Sequence, residues 1–294
     1  LPVVLANINR AVGPPWNVWS DQNDSLSQRD VGMLQVYCES NQEVFDTVLH
    51  SFWVSEQLML PTMLVLDAFY LSHTCEIVEV MEPDEARAYL PPYEPKHFLS
   101  PDHPTAFGNL TAPDSYYELR YQIDRDLRRG IELMRQADQR FEEVFGRSYG
   151  IIEEYRTEDA DLLVVTSGTI TGTARVVIDE CRDAGKRVGL VKMRLFRPFP
   201  ADDVCRILRP AKKVAVIDRN IGFSIGGIFA QEIRAALFSA GIHLPVFGFI
   251  AGIGGRDVTP DTIHEIVDQT EHMDAPDQEV YWIGVKHEQL HHTR

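Results

Sequence analysis

The chain has 294 residues, 44% of them apolar and 24% charged, which fits a soluble globular protein of one large domain or two of ordinary size. Its 28 Lys and Arg against 44 Asp and Glu leave a formal net charge of −16, which argues against nucleic acid or an anionic membrane as partner, since both need a clustered basic face. Four cysteines, Cys38, Cys75, Cys181 and Cys205, include no CxxC pair, so the expectation is free thiols, buried or half-buried, in a reducing cytoplasm. No apolar run approaches the roughly 20 residues of a membrane span, and no signal peptide is visible.

The opening run from Leu1 to Asn9 reads as a parallel strand buried on both faces. Because it has no lead-in, the chain is expected to begin inside a domain whose N-terminal part is missing from this sequence, was cleaved, or lies on another polypeptide. A polar loop with Gly13, Pro14 and Pro15 follows, from Arg10 to about Gln28. Val44, Phe45, Val48, Leu49, Phe52 and Trp53 recur at helical spacing and predict a helix over 41–57, with Asn41 as N-cap and Glu43 in the first turn. Pro61 to Leu66 is a second buried strand ending at Asp67, which completes a right-handed crossover. Pro83, Pro91, Pro92, Pro95, Pro101, Pro104 and Pro113 then suggest a linker without regular structure.

Tyr116 to Phe145 is charged and periodic, a long amphipathic helix bridging two domains. Beyond it, strands are expected at 161–166, 188–193, 213–218 and 244–250, alternating with helices at 173–184, 201–208, 228–240 and 259–268. That alternation means an open, mostly parallel α/β sheet. The division is therefore 1–112 for a first α/β domain with its proline-rich linker, 113–150 for the bridging helix, and 151–294 for a second α/β domain.

Open α/β sheets bind ligands at the carboxyl ends of their strands. Arg10 stands at such an end, where a guanidinium can clamp a carboxylate bidentately. The plainer alternative is a surface arginine paired with Asp21 or Asp24. The stretch holding Asp21, Asp24 and Arg29 resembles a metal loop in composition, but lacks the spacing and closing glutamate of a calcium site, so a hydrogen-bonded loop is the simpler reading. His73, just past the second strand, is either a general base or a loop tie. The glycine loops at 167–172, 222–227 and 252–255 match neither a dinucleotide fingerprint nor a P-loop and read as turns. The histidines at 287, 291 and 292 make too short a tail for a metal site.

Taken together, several segments resemble the alpha subunits of the pyruvate:ferredoxin oxidoreductase family. They are Asn9-Arg10-Ala11, PWNVWSDQND from Pro15 to Asp24, Arg29 to Gly32, Gln42-Glu43, LDAFYLSH from Leu66 to His73, FGRSY from Phe145, Glu154 to Arg156, RLFRPFP from Arg194, and GIGGRD from Gly252. They run in order along nearly the whole chain. The resemblance implies two open, mostly parallel-sheet α/β domains. One is an incomplete, pyrimidine-side thiamine-diphosphate domain, and the other is like the C-terminal domain of transketolases.

The resemblance also implies a reaction: oxidative decarboxylation of a 2-oxoacid with thiamine diphosphate and coenzyme A, electrons passing to ferredoxin or flavodoxin. Arg10 falls on the arginine that binds the substrate carboxylate. Asn9, Asp21, Asp24, Arg29 and His73 are candidates for the surrounding active-site loop. The glutamate that activates thiamine in the family cannot be assigned in this chain. By the same resemblance, thiamine diphosphate and Mg2+ are shared with a partner, and [4Fe-4S] clusters sit on partner subunits of beta, gamma or delta type. Pyruvate is the expected substrate. Branched-chain 2-oxoacids, 2-oxoglutarate, phenylglyoxylate and oxalate stay open, as does a non-catalytic scaffold subunit.

Overall fold

The computed structural model describes residues 1–95 and 97–290; His291 and His292 of the tail considered above lie outside them. The first sheet has the order β1-β3-β2-β7, with β1 at Val4–Asn9, β2 at Leu34–Tyr37, β3 at Thr62–Asp67 and β7 at Leu195–Arg197. β3 runs parallel to both β1 and β2, whereas β7 is antiparallel to β2. All six residues of β3 are buried, as expected for a central parallel strand with neighbours on both sides. β1 differs from expectation. It forms the edge, and Leu5 and Ile8, which point to opposite faces, are exposed, so neither face of this apolar strand is fully covered. The short strand β2 was not anticipated; it follows α1 (Asn23–Leu26), a single helical turn inside the segment read as loop.

α2 (Asn41–Leu58) is capped one residue earlier than expected, with the Ser40 hydroxyl accepting from the Glu43 amide. The proline-rich segment is not wholly irregular. α3 (Pro83–Tyr89) begins with proline at its first position and a reciprocal capping box between Glu82 and Glu85. Tyr89 is fully buried and its hydroxyl donates to the Ala137 carbonyl of α4 (Pro113–Phe145). α4 lies on α2, and Leu133, Met134 and Ala137 join Leu34, Val54 and Leu58 in one core cluster. It is thus packed on the first sheet's layer, with its N-terminal end exposed.

The second sheet has the order β10-β9-β8-β5-β6-β4. Its strands are β4 (Ile152–Tyr155), β5 (Leu162–Thr166), β6 (Val188–Met193), β8 (Lys213–Asp218), β9 (Val246–Ile250) and β10 (Tyr281–Trp282). All pairs are parallel except β4 with β6. The helices α5 (Ile170–Asp183), α6 (Ala201–Leu208), α7 (Ile228–Ser239) and α8 (Pro260–His272) cover it. The two sheets are not independent units. Two residues after β6 the chain enters the first sheet as β7, so the 151–294 segment donates a strand across the expected boundary. One core cluster joins Tyr37, Met63 and Val65 to Val165, Val191, Phe196 and Phe229.

A buried ion cluster ties α2 to β6. The Glu43 carboxylate, expected only to serve the helix dipole, accepts from Arg194 Nε at 2.7 Å and Lys192 Nζ at 2.8 Å. Lys192 also meets Glu39, and Arg175 bridges Glu39 to Glu153. The remaining Arg194 nitrogens reach the Gly150 carbonyl, Thr47 and His50 Nδ1. Although burial works to raise it, Arg175 and Lys192 hold the Glu39 carboxyl below its ordinary range. Cys38, Cys181 and Cys205 are buried, but Cys75 is exposed, which the expectation of covered thiols had not included. Among the described residues no helix is long and apolar enough to cross a membrane.

Candidate functional site

The carboxyl ends of the parallel strands in both sheets meet around one loop, Arg10 to Gln22. Gln22 donates its amide to the Arg219 carbonyl just past β8, and Asn23 exchanges two hydrogen bonds with Ile221. Ser167, past β5, donates to Gln22 Oε1. Past β9, Gly255 donates to the Ser20 carbonyl, and Asn17 donates to the Gly254 carbonyl. Gly255 has φ +81°, and a Cβ there would overlap Trp19, so this approach requires glycine.

Asp67 and Arg219 lock this junction. Asp67, the last residue of β3 and 1% exposed, accepts from the Thr169 amide (2.9 Å), the Thr169 hydroxyl (2.7 Å) and Arg219 Nη1 (3.1 Å). Asp218, at the end of β8, accepts the amides of Phe229 and Ala230 at the start of α7. Burial pushes its carboxyl up to about 6 despite those bonds. Two helix N-termini that could hold an anion are therefore filled by the chain's own carboxylates. A Cβ at Gly227 would overlap Asp218, so that glycine loop is a close-packing device.

Arg10 opens this loop directly after β1 and is half-buried. Its amide donates to Asp24 Oδ2 at 2.9 Å, and its Nη1 to the Val18 carbonyl at 2.7 Å. The pairing with Asp21 or Asp24 considered from sequence does not form: Asp24 takes the backbone of Arg10, and among the described residues no carboxylate pairs with its guanidinium. The guanidinium instead lies 5.3 Å from the centre of the Phe69 ring. Trp19 stacks on Phe69 at 5.8 Å, and His73 at 4.3 Å with planes 15° apart.

The other candidates divide. Asn9 is fully buried at the end of β1; its Oδ1 accepts from Asn7, and its Nδ2 has no partner among the described residues. Asp21 is buried beside Asn23, and desolvation raises its carboxyl to about 6. Asp24, half-buried, accepts the amides of Arg10 and Ser25 and so fixes the loop. Arg29 is not brought to Arg10; it bonds the Leu26 carbonyl and pairs with Asp30. His73 joins through its stack on Phe69, with Nδ1 2.8 Å from the Ser72 hydroxyl. Among the described residues no group of three His, Cys, Asp or Glu side chains is placed to hold a metal.

Sequence reading gave no site role to Phe69, Asp67, Thr169 or Arg219, although Asp67 and Phe69 stand in the LDAFYLSH segment. A signal for Asp67 was present: TMLVLD and KVAVID are both buried apolar runs closed by an aspartate, and both aspartates reach helix N-termini.

Residues 1–138 match the family described as pyruvate flavodoxin/ferredoxin oxidoreductase, thiamine diphosphate-binding, and residues 160–263 match pyruvate:ferredoxin oxidoreductase core domain II. The pyruvate synthase subunit PorA of Methanothermobacter thermautotrophicus is 46% identical over 289 residues, which is 98% of this chain and 74% of that protein. The ketoisovalerate oxidoreductase subunit VorA of Pyrococcus horikoshii is 39% identical over 291 residues, 97% of this chain and 74% of that one. A solved 2-oxoglutarate:ferredoxin oxidoreductase from Magnetococcus marinus superposes with a TM-score of 0.63 at 14% identity, over 91% of this chain and about half (48%) of that one; the likeness establishes the shared fold. Two α/β sheets joined at their strand ends, domain matches over both halves and relatives of this similarity lead to one conclusion: the chain belongs to the pyruvate:ferredoxin oxidoreductase family as an alpha subunit, part of a 2-oxoacid oxidoreductase.

Proposed function

We propose that this chain supplies the carboxylate-binding side of an active site that converts a 2-oxoacid and coenzyme A to an acyl-CoA and CO2, with two electrons passing to ferredoxin or flavodoxin. The observation that carries the reading is Arg10: a half-buried guanidinium at the strand ends, without a carboxylate partner among the described residues. A fixed cation there orients the acid before reaction and costs little reorganisation when the charge arrives. Pyruvate is the favoured substrate because a pyruvate synthase subunit is 46% identical. A branched-chain 2-oxoacid is the second reading, supported by the ketoisovalerate relative.

Thiamine diphosphate, when bound, supplies the carbanion that attacks the keto carbon. Among the described residues no group of three His, Cys, Asp or Glu side chains is placed to hold its metal, and the N-termini of α5 and α7, which could otherwise take an anion, already hold Asp67 and Asp218. We therefore assign the diphosphate and Mg2+, the [4Fe-4S] clusters and the coenzyme A site to partner subunits, and activity to the assembled complex. The test is purification of that complex from its own cells, followed by assay of pyruvate- and coenzyme-A-dependent dye reduction in the parent and in Arg10→Ala. A complex containing thiamine and iron in which Arg10→Ala has lost turnover supports the reading. A lone chain without either cofactor, or unchanged turnover in Arg10→Ala, overturns it.

A further inference from the structure

Phe69 has a backbone conformation that its type disfavours and neighbours that a core residue would not have. It lies two residues past the end of β3 with φ +64°, a left-handed conformation costly for a bulky side chain. The turn is held by local bonds: the Phe69 amide donates to the Ser72 hydroxyl, Tyr70 to the Ala68 carbonyl, and Leu71 to the Asp67 carbonyl. Such a conformation would be tolerable where it let an aromatic ring join the core. This ring is half-buried and belongs to none of the buried apolar clusters. Its neighbours are instead the Arg10 guanidinium, Trp19 and His73.

We infer that Phe69 is a positioning residue: the left-handed turn after β3 presents its ring to Arg10 and fixes the guanidinium in the orientation that receives the substrate carboxylate. This rests on the reading of Arg10 given above. An arginine on a long, flexible stem loses rotamer freedom when it binds. Here Nη1 is tied to the Val18 carbonyl and the ring attracts the cation through its π-electrons, which leaves Nε and Nη2 without partners among the described residues. A carboxylate then meets a pre-set fork. His73, stacked on Phe69 and bonded to Ser72, braces the ring in the same turn.

The experiment uses the assembled enzyme with pyruvate as substrate. Phe69→Leu keeps apolar volume but removes the π-face, and is expected to raise KM about three- to thirtyfold, the range of a partly desolvated cation–π contact, with kcat little changed. Phe69→Tyr restores the face and should return KM to the parent value. Phe69→Asn suits a left-handed backbone, so it should raise KM like leucine without lowering the melting temperature, and it carries the test if the leucine variant fails to assemble. In an Arg10→Ala background, Phe69→Leu should cost nothing further in kcat/KM. A crippled Arg10→Ala beside an unchanged KM in Phe69→Leu and Phe69→Asn, or an undiminished Phe69 effect without Arg10, overturns this inference alone. Unchanged turnover in Arg10→Ala overturns the carboxylate reading, and this one with it.

Discussion

Arg194 and Arg10 both follow a strand, and each donates Nη1 to a backbone carbonyl and lies 5.3 Å from an aromatic ring centre, yet they differ in burial and in whether a carboxylate pairs with them. Arg194 is fully buried, and its nitrogens are matched by Glu43, Gly150, Thr47 and His50. Arg10 is half-buried, with one bond to a carbonyl, one aromatic face and no carboxylate among the described residues. A guanidinium removed from water needs its donors satisfied from within, and once satisfied it has nothing to offer a ligand. A guanidinium left partly free at the strand ends retains that capacity. The family motifs contain both kinds, so a shared motif does not by itself separate scaffold from site. The Arg147 and Tyr149 side chains of another motif bind the buried Asp46, which again is scaffold.

The contrast breaks first at its buried side. Arg194→Ala leaves the Glu43 carboxylate under-matched in the interior and should cost about 3–5 kcal/mol of stability, read as lost assembly or a large drop in melting temperature. An intact melt would place Arg194 in solvent contact and undo the comparison. On the open side, Arg10→Ala should leave the melt unchanged while kcat/KM for the 2-oxoacid falls by about 2–4 kcal/mol in transition-state terms. Arg10→Lys keeps the charge but not the fork and should fall between the two.

Asp67→Asn probes the lock between the sheets. It keeps an acceptor for Thr169 but removes the charge that faces Arg219, and should cost roughly 1–3 kcal/mol of stability, visible in denaturant titration. A loss of activity without loss of stability would move Asp67 from the scaffold into the site.

His50 gives the smallest effect and a pH signature. Burial and the nearby Arg194 charge hold it neutral well below its ordinary 6.5. The unfolded chain takes up a proton there below about 6.5 while the folded chain does not, so falling pH favours unfolding through this residue. Asp21 and Asp218, raised by burial to about 6, tilt the opposite way as pH falls. The measurement is therefore a difference. Parent stability relative to His50→Gln should decline below pH 6.5 by up to ~1.4 kcal/mol per pH unit. A difference independent of pH would mean that His50 titrates normally.

Much of the second sheet was legible from sequence because its strands are continuous apolar runs with neighbours on both sides. VGLVKM and KVAVID form strands with the bounds expected. The misses are short or dependent on partners. LQVY lies within a segment too short for periodicity to register, and Leu195 to Arg197 pair with a strand nearly 160 positions earlier. β1 was recognised as a strand, but its burial was not, because an apolar run carries no record of whether it sits at the centre or the edge of a sheet.

The sequence by itself determined the alternating α/β architecture, the placing of Arg10 at a strand end and, through ordered motifs, the family. Hydrophobic runs and strand-end positions are local, and local pattern suffices for them. Only the tertiary structure decided which charges are consumed. Glu43 with Arg194, and Asp67 with Arg219, pair across about 150 positions of chain, and whether a guanidinium finds a carboxylate depends on what folding brings beside it. The same holds for Phe69, whose role follows from a backbone angle and three neighbours that no spacing in the sequence predicts.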